Sequence, residues 1–312
     1  MEEIKKNITV IGATNTDIAG ECLSPMVISD SNIGKVSVSL GGVGHNIALS
    51  LSYLGSDVSF VTAFGNDNFG RNAISSLEDK MDITQSLFSK GRSGVYLFVV
   101  DEKGEMHVAV NDMGITDEIT PAFIASRREL ISSSPILVLD ANLSQDTIYE
   151  ASSSASGIVV ADAVSTLKAS RLEKSYPYIN ILKPNRMELS YLSGMEVFDD
   201  SSLKRAAYAL LDKGVESLLV TWGTKGSFYV SRKRFLHAGI RKVNVANTNG
   251  AGDSFLGGFV AAISRGMEER DAMRIASSAA AFASSSKETV PADMNMKEVE
   301  RLSKEIEVEE LS

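Results

Sequence analysis

Two rhythms of apolar and polar positions divide the chain. After about residue 120, short apolar runs recur between stretches of helical spacing: Ile136 to Asp140, Ile158 to Ala161, Ile179 to Leu182 and Ser217 to Thr221. Brief strands that are apolar on both faces and alternate with helices predict a mostly parallel central sheet with helices on both faces, an α/β fold. Before residue 120 the pattern is different. Ile8 to Gly12 predicts a strand, and Ala13-Thr14-Asn15-Thr16-Asp17 a ligand-facing loop after it. Val36, Val38 and Leu40 alternate with Ser37 and Ser39, the period-two pattern of a strand with one wet face, which need not belong to the main sheet. Val95 to Val100 and Met106 to Val110, joined by Asp101-Glu102-Lys103-Gly104-Glu105, predict a hairpin. These strands are expected to form a small β-sheet lid, inserted at about 13–40 and 92–113 into one domain spanning residues 1–312.

Ligands of such sheets bind beyond the carboxyl ends of the strands. Asp140, Asp162, Asn185 and Thr221 fall at or just past those ends, so the candidate site residues converge on one edge. A further helix is predicted from Phe255, Leu256, Phe259, Val260 and Ile263, which recur as a single apolar stripe. The turn before it, Asn247-Thr248-Asn249-Gly250-Ala251-Gly252-Asp253-Ser254, delivers an acidic side chain to the helix N-terminus. Free N–H groups and the helix dipole there bind anions, so Gly250, Ala251 and Gly252 read as an anion hole and Asp253 as a base beside it, the arrangement of a phosphoryl-transfer site. The alternative is a helix cap after a tight turn. The segment from Met267 to Ser286 predicts a small-residue helix packed on the nucleotide side.

Composition narrows the field. A net charge of −9 over 312 residues removes the basic footprint of polynucleotide binding. One cysteine, Cys22, excludes an internal disulfide framework, and His45, His107 and His237 lack metal-ligand spacing. Met1-Glu2-Glu3-Ile4-Lys5-Lys6 lacks the apolar core of a secretory signal, and no run reaches the roughly 18 apolar residues of a membrane span, so a cytoplasmic protein is expected. The first strand is not followed by Gly-x-Gly-x-x-Gly, nor is Ser254 set in Gly-x-Ser-x-Gly, which leaves a dehydrogenase or serine hydrolase without support.

The segment Gly41-Gly42-Val43-Gly44-His45-Asn46-Ile47-Ala48, with Gly55 and Gly65 after it, pairs with the Asn247–Ser254 turn in a telling way. Together they resemble the two signature regions of the ribokinase-like, or PfkB-type, carbohydrate kinase family, and the resemblance covers essentially the whole chain. It implies an ATP- and Mg²⁺-dependent transfer to a sugar hydroxyl. It places Asn15, Asp17, Gly41, Gly42 and Asn46 at the sugar, and Asn185, Thr221, Gly223, Gly226 and Asn249 at the nucleotide. Glu188, in a stretch that looks like the family's Asn-x-x-Glu motif, would order Mg²⁺ through water. Asn111 and Asp112, which follow the hairpin, could reach a nucleobase; Asn and Asp are also ordinary turn formers. Local strings such as Val110-Asn111-Asp112-Met113, Asp162-Ala163-Val164-Ser165 and Leu182-Lys183-Pro184-Asn185 are similar to those of the pseudouridine kinases within the family. They imply a ribosyl 5′-hydroxyl acceptor, with ribose, another nucleoside or another sugar as alternatives, and a non-catalytic sugar- or nucleotide-binding protein as the alternative of another class. Where many family members have Asp-Thr, this chain has Asn247-Thr248, and the lost charge counts against a monovalent-cation site. The lid could cover the site within one chain or pair two chains as a homodimer.

Overall fold

The computed structural model describes residues 8–311; the Met1–Lys6 stretch lies outside them. The main sheet runs in the order Val308–Glu310, Phe235–Ala238, Ser227–Ser231, Ser217–Thr221, Ile181–Lys183, Ile158–Asp162, Ile136–Asp140, Ile8–Ile11, Val58–Val61. From Ser217–Thr221 to Val58–Val61 every pairing is parallel. The last three strands on the other side are antiparallel, a mixed edge the apolar runs did not reveal. Alternate residues of one strand supply opposite cores. Ile136 and Val138 pack with Ile8, Val10 and Phe259, while Leu137 and Leu139 pack with Ile11, Val159 and Leu218. Double-sided burial is why these strands read as continuous apolar runs rather than alternating ones.

A separate four-stranded sheet pairs Gly34–Gly41, Asn15–Cys22, Val95–Val100 and Met106–Asp112 in that order. Residues 15–17 therefore begin a strand, not the loop that their polar composition suggested. Backbone pairing on both sides, antiparallel to Gly34–Gly41 and parallel to Val95–Val100, overrides the turn preference of Asn and Asp. A second departure concerns Gly34–Gly41. Its apolar residues Val36 and Val38 are exposed like their serine neighbours, so the alternation marks two open faces and not one wet face.

Register sorts the small sheet into two faces. Ser39, Asp17, Tyr96 and Asn111 lie opposite one another across the four strands and share one face. Val38, Ile18, Leu97 and Val110 form the neighbouring row on the other. Asp112 pairs with Val95, which puts it on that apolar side, away from Asp17.

Candidate active site

Two helices begin at the same place. Val43–Tyr53 starts after Gly42, whose φ of 103° lies in the region that glycine alone adopts readily, and Ala251–Ser264 starts after Gly250, at φ 76°. The helices pack side by side so tightly that a Cβ on Gly257 would stand 2.7 Å from Ser50 Cβ. Their first turns are joined directly, Asn46 Nδ2 donating to Asp253 Oδ2 at 2.7 Å. Asn46 Oδ1 lies 3.1 Å from His45 Nδ1, which fixes the amide orientation if that ring nitrogen carries the proton. Burial pushes His45 down to about 4, so the imidazole is neutral near pH 7.

In the glycine-rich turn, Gly41 faces Asp17 so closely that a side chain there would displace the carboxylate. A Cβ on Gly41 would stand 2.3 Å from Asp17 Oδ2. Asn15 Nδ2 donates to Asp17 Oδ1 at 2.5 Å, and burial raises the Asp17 pKa, partly offset by that hydrogen bond. Asp140, at the end of its strand, ties the turn to the main sheet. Its Oδ2 accepts from Ala13 N at 2.9 Å and Gly44 N at 2.8 Å.

The other side of the Ala251–Ser264 helix opens on a cavity of about 370 Å³. Thr221, Gly223 and Gly226 line it, as do Ala251 and Gly252 of the turn, and apolar walls come from Val243, Val245 and Ala280. The helix expected between Met267 and Ser286 is Glu269–Ser284, and its Ser277, Ala281 and Ser284 close that wall. Asn249 lies outside the cavity lining; its N–H donates to Asn247 Oδ1 at 2.9 Å, and Asn247 Nδ2 donates to the Lys287 carbonyl at 3.2 Å. Asn185 is not in the lining either, although its backbone bridges to Thr221, which is. Asn185 caps the helix Arg186–Ser193 in a reciprocal box, its backbone N–H and side-chain amide both donating to Glu188, at 2.8 and 2.7 Å. Burial raises the Glu188 pKa, against the Asn185 N–H and Lys183.

Between the helix starts and the strand ends lies a nest of buried charge. Burial first, and Asp162 next, push the Asp253 carboxyl up to about 7, while Lys183 and the Asn46 amide pull the other way. Lys183 forms an ion pair with Asp162, Nζ to Oδ2, at 2.9 Å. Asp162 and Asp140 were legible only as strand-end carboxylates, and Lys183 was missed; its signal was a lysine closing an otherwise apolar strand, a position charge rarely takes without a partner. Among the described residues no group of three or more His, Cys, Asp or Glu side chains could hold a metal unaided, and no helix is long and apolar enough to cross a membrane.

Comparison with known proteins bears on this geometry. The pfkB family of carbohydrate kinases matches residues 5–294. Pseudouridine kinase of Escherichia coli (strain K12) is 31% identical over 300 residues, covering 95% of this chain and 96% of its own. Among solved structures, ribokinase of Thermotoga maritima superposes with a TM-score of 0.86 at 25% identity, covering 95% of this chain and 99% of that one. Arabidopsis thaliana ribokinase, solved with ribose and ATP, does so at 0.81 and 21% identity, covering 96% and 99%. The chain belongs to the pfkB family of carbohydrate kinases, phosphotransferases that act on hydroxyl groups.

Proposed function

We propose that this pfkB-family kinase transfers the γ-phosphoryl group of ATP to the 5′-hydroxyl of a ribosyl acceptor, with pseudouridine as the first acceptor to test. The observation that carries the transfer reading is the 2.7 Å bond between Asn46 and Asp253, because it joins the glycine-lined turn to the anion-binding helix start at a carboxylate. The acceptor choice rests on the 31% identity to a pseudouridine kinase along nearly the whole of both chains.

In this reading the cavity behind Gly252 takes the nucleoside of ATP, and the γ-phosphoryl group lies at the N–H groups of Gly250, Ala251 and Gly252. Asp17, Gly41, Gly42 and Asn46 take the sugar, and Asn111, on the same face as Asp17, is within the sheet that would cover the base. The acceptor oxygen bonds to the γ-phosphorus as the bond from that phosphorus to the β–γ bridging oxygen breaks. The hydroxyl proton passes to Asp253, and ADP leaves. Mg²⁺ fits here only as an ion carried on the phosphates with its waters, reached by Glu188 through water, since both Glu188 oxygens already accept from Asn185. When bound it would neutralise phosphate charge.

The whole chain then acts as one catalytic unit whose small sheet closes over the sugar and excludes water. Its far face is apolar and open, with Val36 73% and Val110 59% exposed, and we place a second copy of the chain there as a homodimer. A cytoplasmic location fits its need for ATP. ADP release measured separately with pseudouridine, uridine, adenosine, cytidine, ribose and fructose tests the function. Selective turnover of pseudouridine supports the proposal, preference for ribose or another nucleoside moves the acceptor, and nucleotide binding without any turnover favours a binding protein.

A further inference from the structure

Lys183 stands at the end of the strand Ile181–Lys183 with its side chain buried. An ammonium has three hydrogens to donate, yet among the described residues the one ion-pair partner of Lys183 Nζ is Asp162 Oδ2, at 2.9 Å. The Asp162 side is fixed independently, since Oδ1 accepts from Val164 N at 2.7 Å. On its other side the ammonium meets the helix start: a Cβ on Gly252 would stand 3.0 Å from Lys183 Nζ. A buried cation with unused donors is expensive to keep, so its retention beside a reactive centre calls for a role.

The charges facing it give that role a direction. Asp162, Asp253 and Glu188 all act on Lys183, and together they outweigh the effect of burial and raise its pKa, so it stays protonated. Asp140 acts on Asp253 as well. Apart from Lys183, the charged side chains acting most on Asp253 are carboxylates, Asp162 and Asp140, which would repel a phosphate entering this corner. Phosphoryl transfer spreads charge over the three equatorial oxygens of the moving group, and fixed donors aimed at them in a water-poor site lower the barrier.

We propose that Lys183 is a further catalytic residue, its ammonium held by Asp162 against Gly252 so that it donates to an oxygen of the γ-phosphoryl group as that group moves. The inference rests on the kinase reading above. Lys183 keeps its protons throughout; it completes with a side-chain cation the anion hole that the backbone N–H groups begin.

The test compares wild type, Lys183→Met and the double variant Lys183→Met/Asp162→Asn, with ADP affinity by calorimetry, thermal unfolding, and kcat and KM on whichever acceptor the wild type uses. Lys183→Met is expected to lower kcat by about 10²–10³-fold, as loss of one oxyanion donor does, while ADP affinity changes little. The double variant, which removes the unpaired buried carboxylate, should unfold near the wild-type temperature and still lack turnover. In the single variant Lys183→Met, the acid limb of residual kcat/KM should move to higher pH, because the Lys183 cation favours ionised Asp253. Recovery of turnover to within about fivefold of wild type by the double variant would show that Lys183 only neutralises Asp162 and would overturn the assignment. A loss confined to ADP affinity and the KM for ATP would overturn it too. Wild type that binds ADP but phosphorylates nothing would bring down the kinase reading itself, and Lys183 with it.

Discussion

Replacing Asp253 by asparagine separates the charge at this site from its shape. The amide keeps a carbonyl oxygen for Asn46 Nδ2, which lies 2.7 Å from Asp253 Oδ2, so the joint between the two helices can persist. What disappears is a carboxylate that the fold holds at about 7 against an ordinary 3.8. A carboxyl whose folded pKa is raised weakens the fold as pH climbs from the unfolded value to the folded one, because the unfolded chain ionises while the native state resists. The gap of about 3 between those values, at about 1.36 kcal/mol for each, sets an upper bound of about 4 kcal/mol. Asp253 keeps part of its surface open to the crevice, and solvent screening brings the expected figure nearer ~2 kcal/mol. Asp253→Asn should therefore be more stable than wild type by ~2 kcal/mol in urea unfolding at about pH 8, and the advantage should vanish at about pH 4. Its turnover should fall by about two to four orders of magnitude, the range for a positioned base. A variant less stable than wild type at the higher pH would refute the electrostatic account, and turnover within a few-fold of wild type would remove Asp253 from the chemistry.

Other outcomes follow from the same geometry. In wild type, kcat/KM should rise with pH through an acid limb near 7, where Asp253 ionises; a limb near the ordinary carboxylate value would contradict its burial. Asp17→Ala should raise the KM for the acceptor by about tenfold or more without changing that for ATP, and Gly41→Ala, whose methyl would stand 2.3 Å from Asp17 Oδ2, should do the same; an unchanged acceptor KM would displace the sugar from this turn. His45, lowered from 6.5 to about 4, contributes stability above the unfolded value that is lost as pH falls toward the folded one, up to about 3 kcal/mol; unfolding curves of His45→Gln should lose that acid dependence, and an unaltered slope would mean that other groups cause it. Exchange of potassium for sodium should change activity less than about twofold, since Asn247 spends its neutral amide on Asn249 and Lys287, and strict potassium dependence would be the contrary result.

Apolar runs such as Ile136 to Asp140 disclosed the parallel sheet because burial on both faces leaves no polar interruption. Asp253 and its glycines were legible for a local reason, the helix start being encoded in consecutive residues. The beginning of the Asn15–Cys22 strand was not, since its ladder partners are residues 34–41 and 95–100 and its own composition favours a turn. The bond of Asn46 to Asp253 was hidden similarly: the family resemblance implied a place at the sugar for Asn46, and only packing of two distant helices brings it to Asp253. Lys183 was obscured by its neighbours, for nothing near it in sequence tells that Asp162 and Gly252 flank it.

Phosphorus NMR of wild type and Asp253→Asn incubated with ATP, Mg²⁺ and pseudouridine tests the central claim most directly. The account predicts a new phosphomonoester coupled to the 5′-methylene protons, growing with ADP in wild type and all but missing in Asp253→Asn. A phosphomonoester formed equally well by both proteins would contradict the assignment of Asp253, and none formed from pseudouridine while ribose yields one would contradict the proposed acceptor.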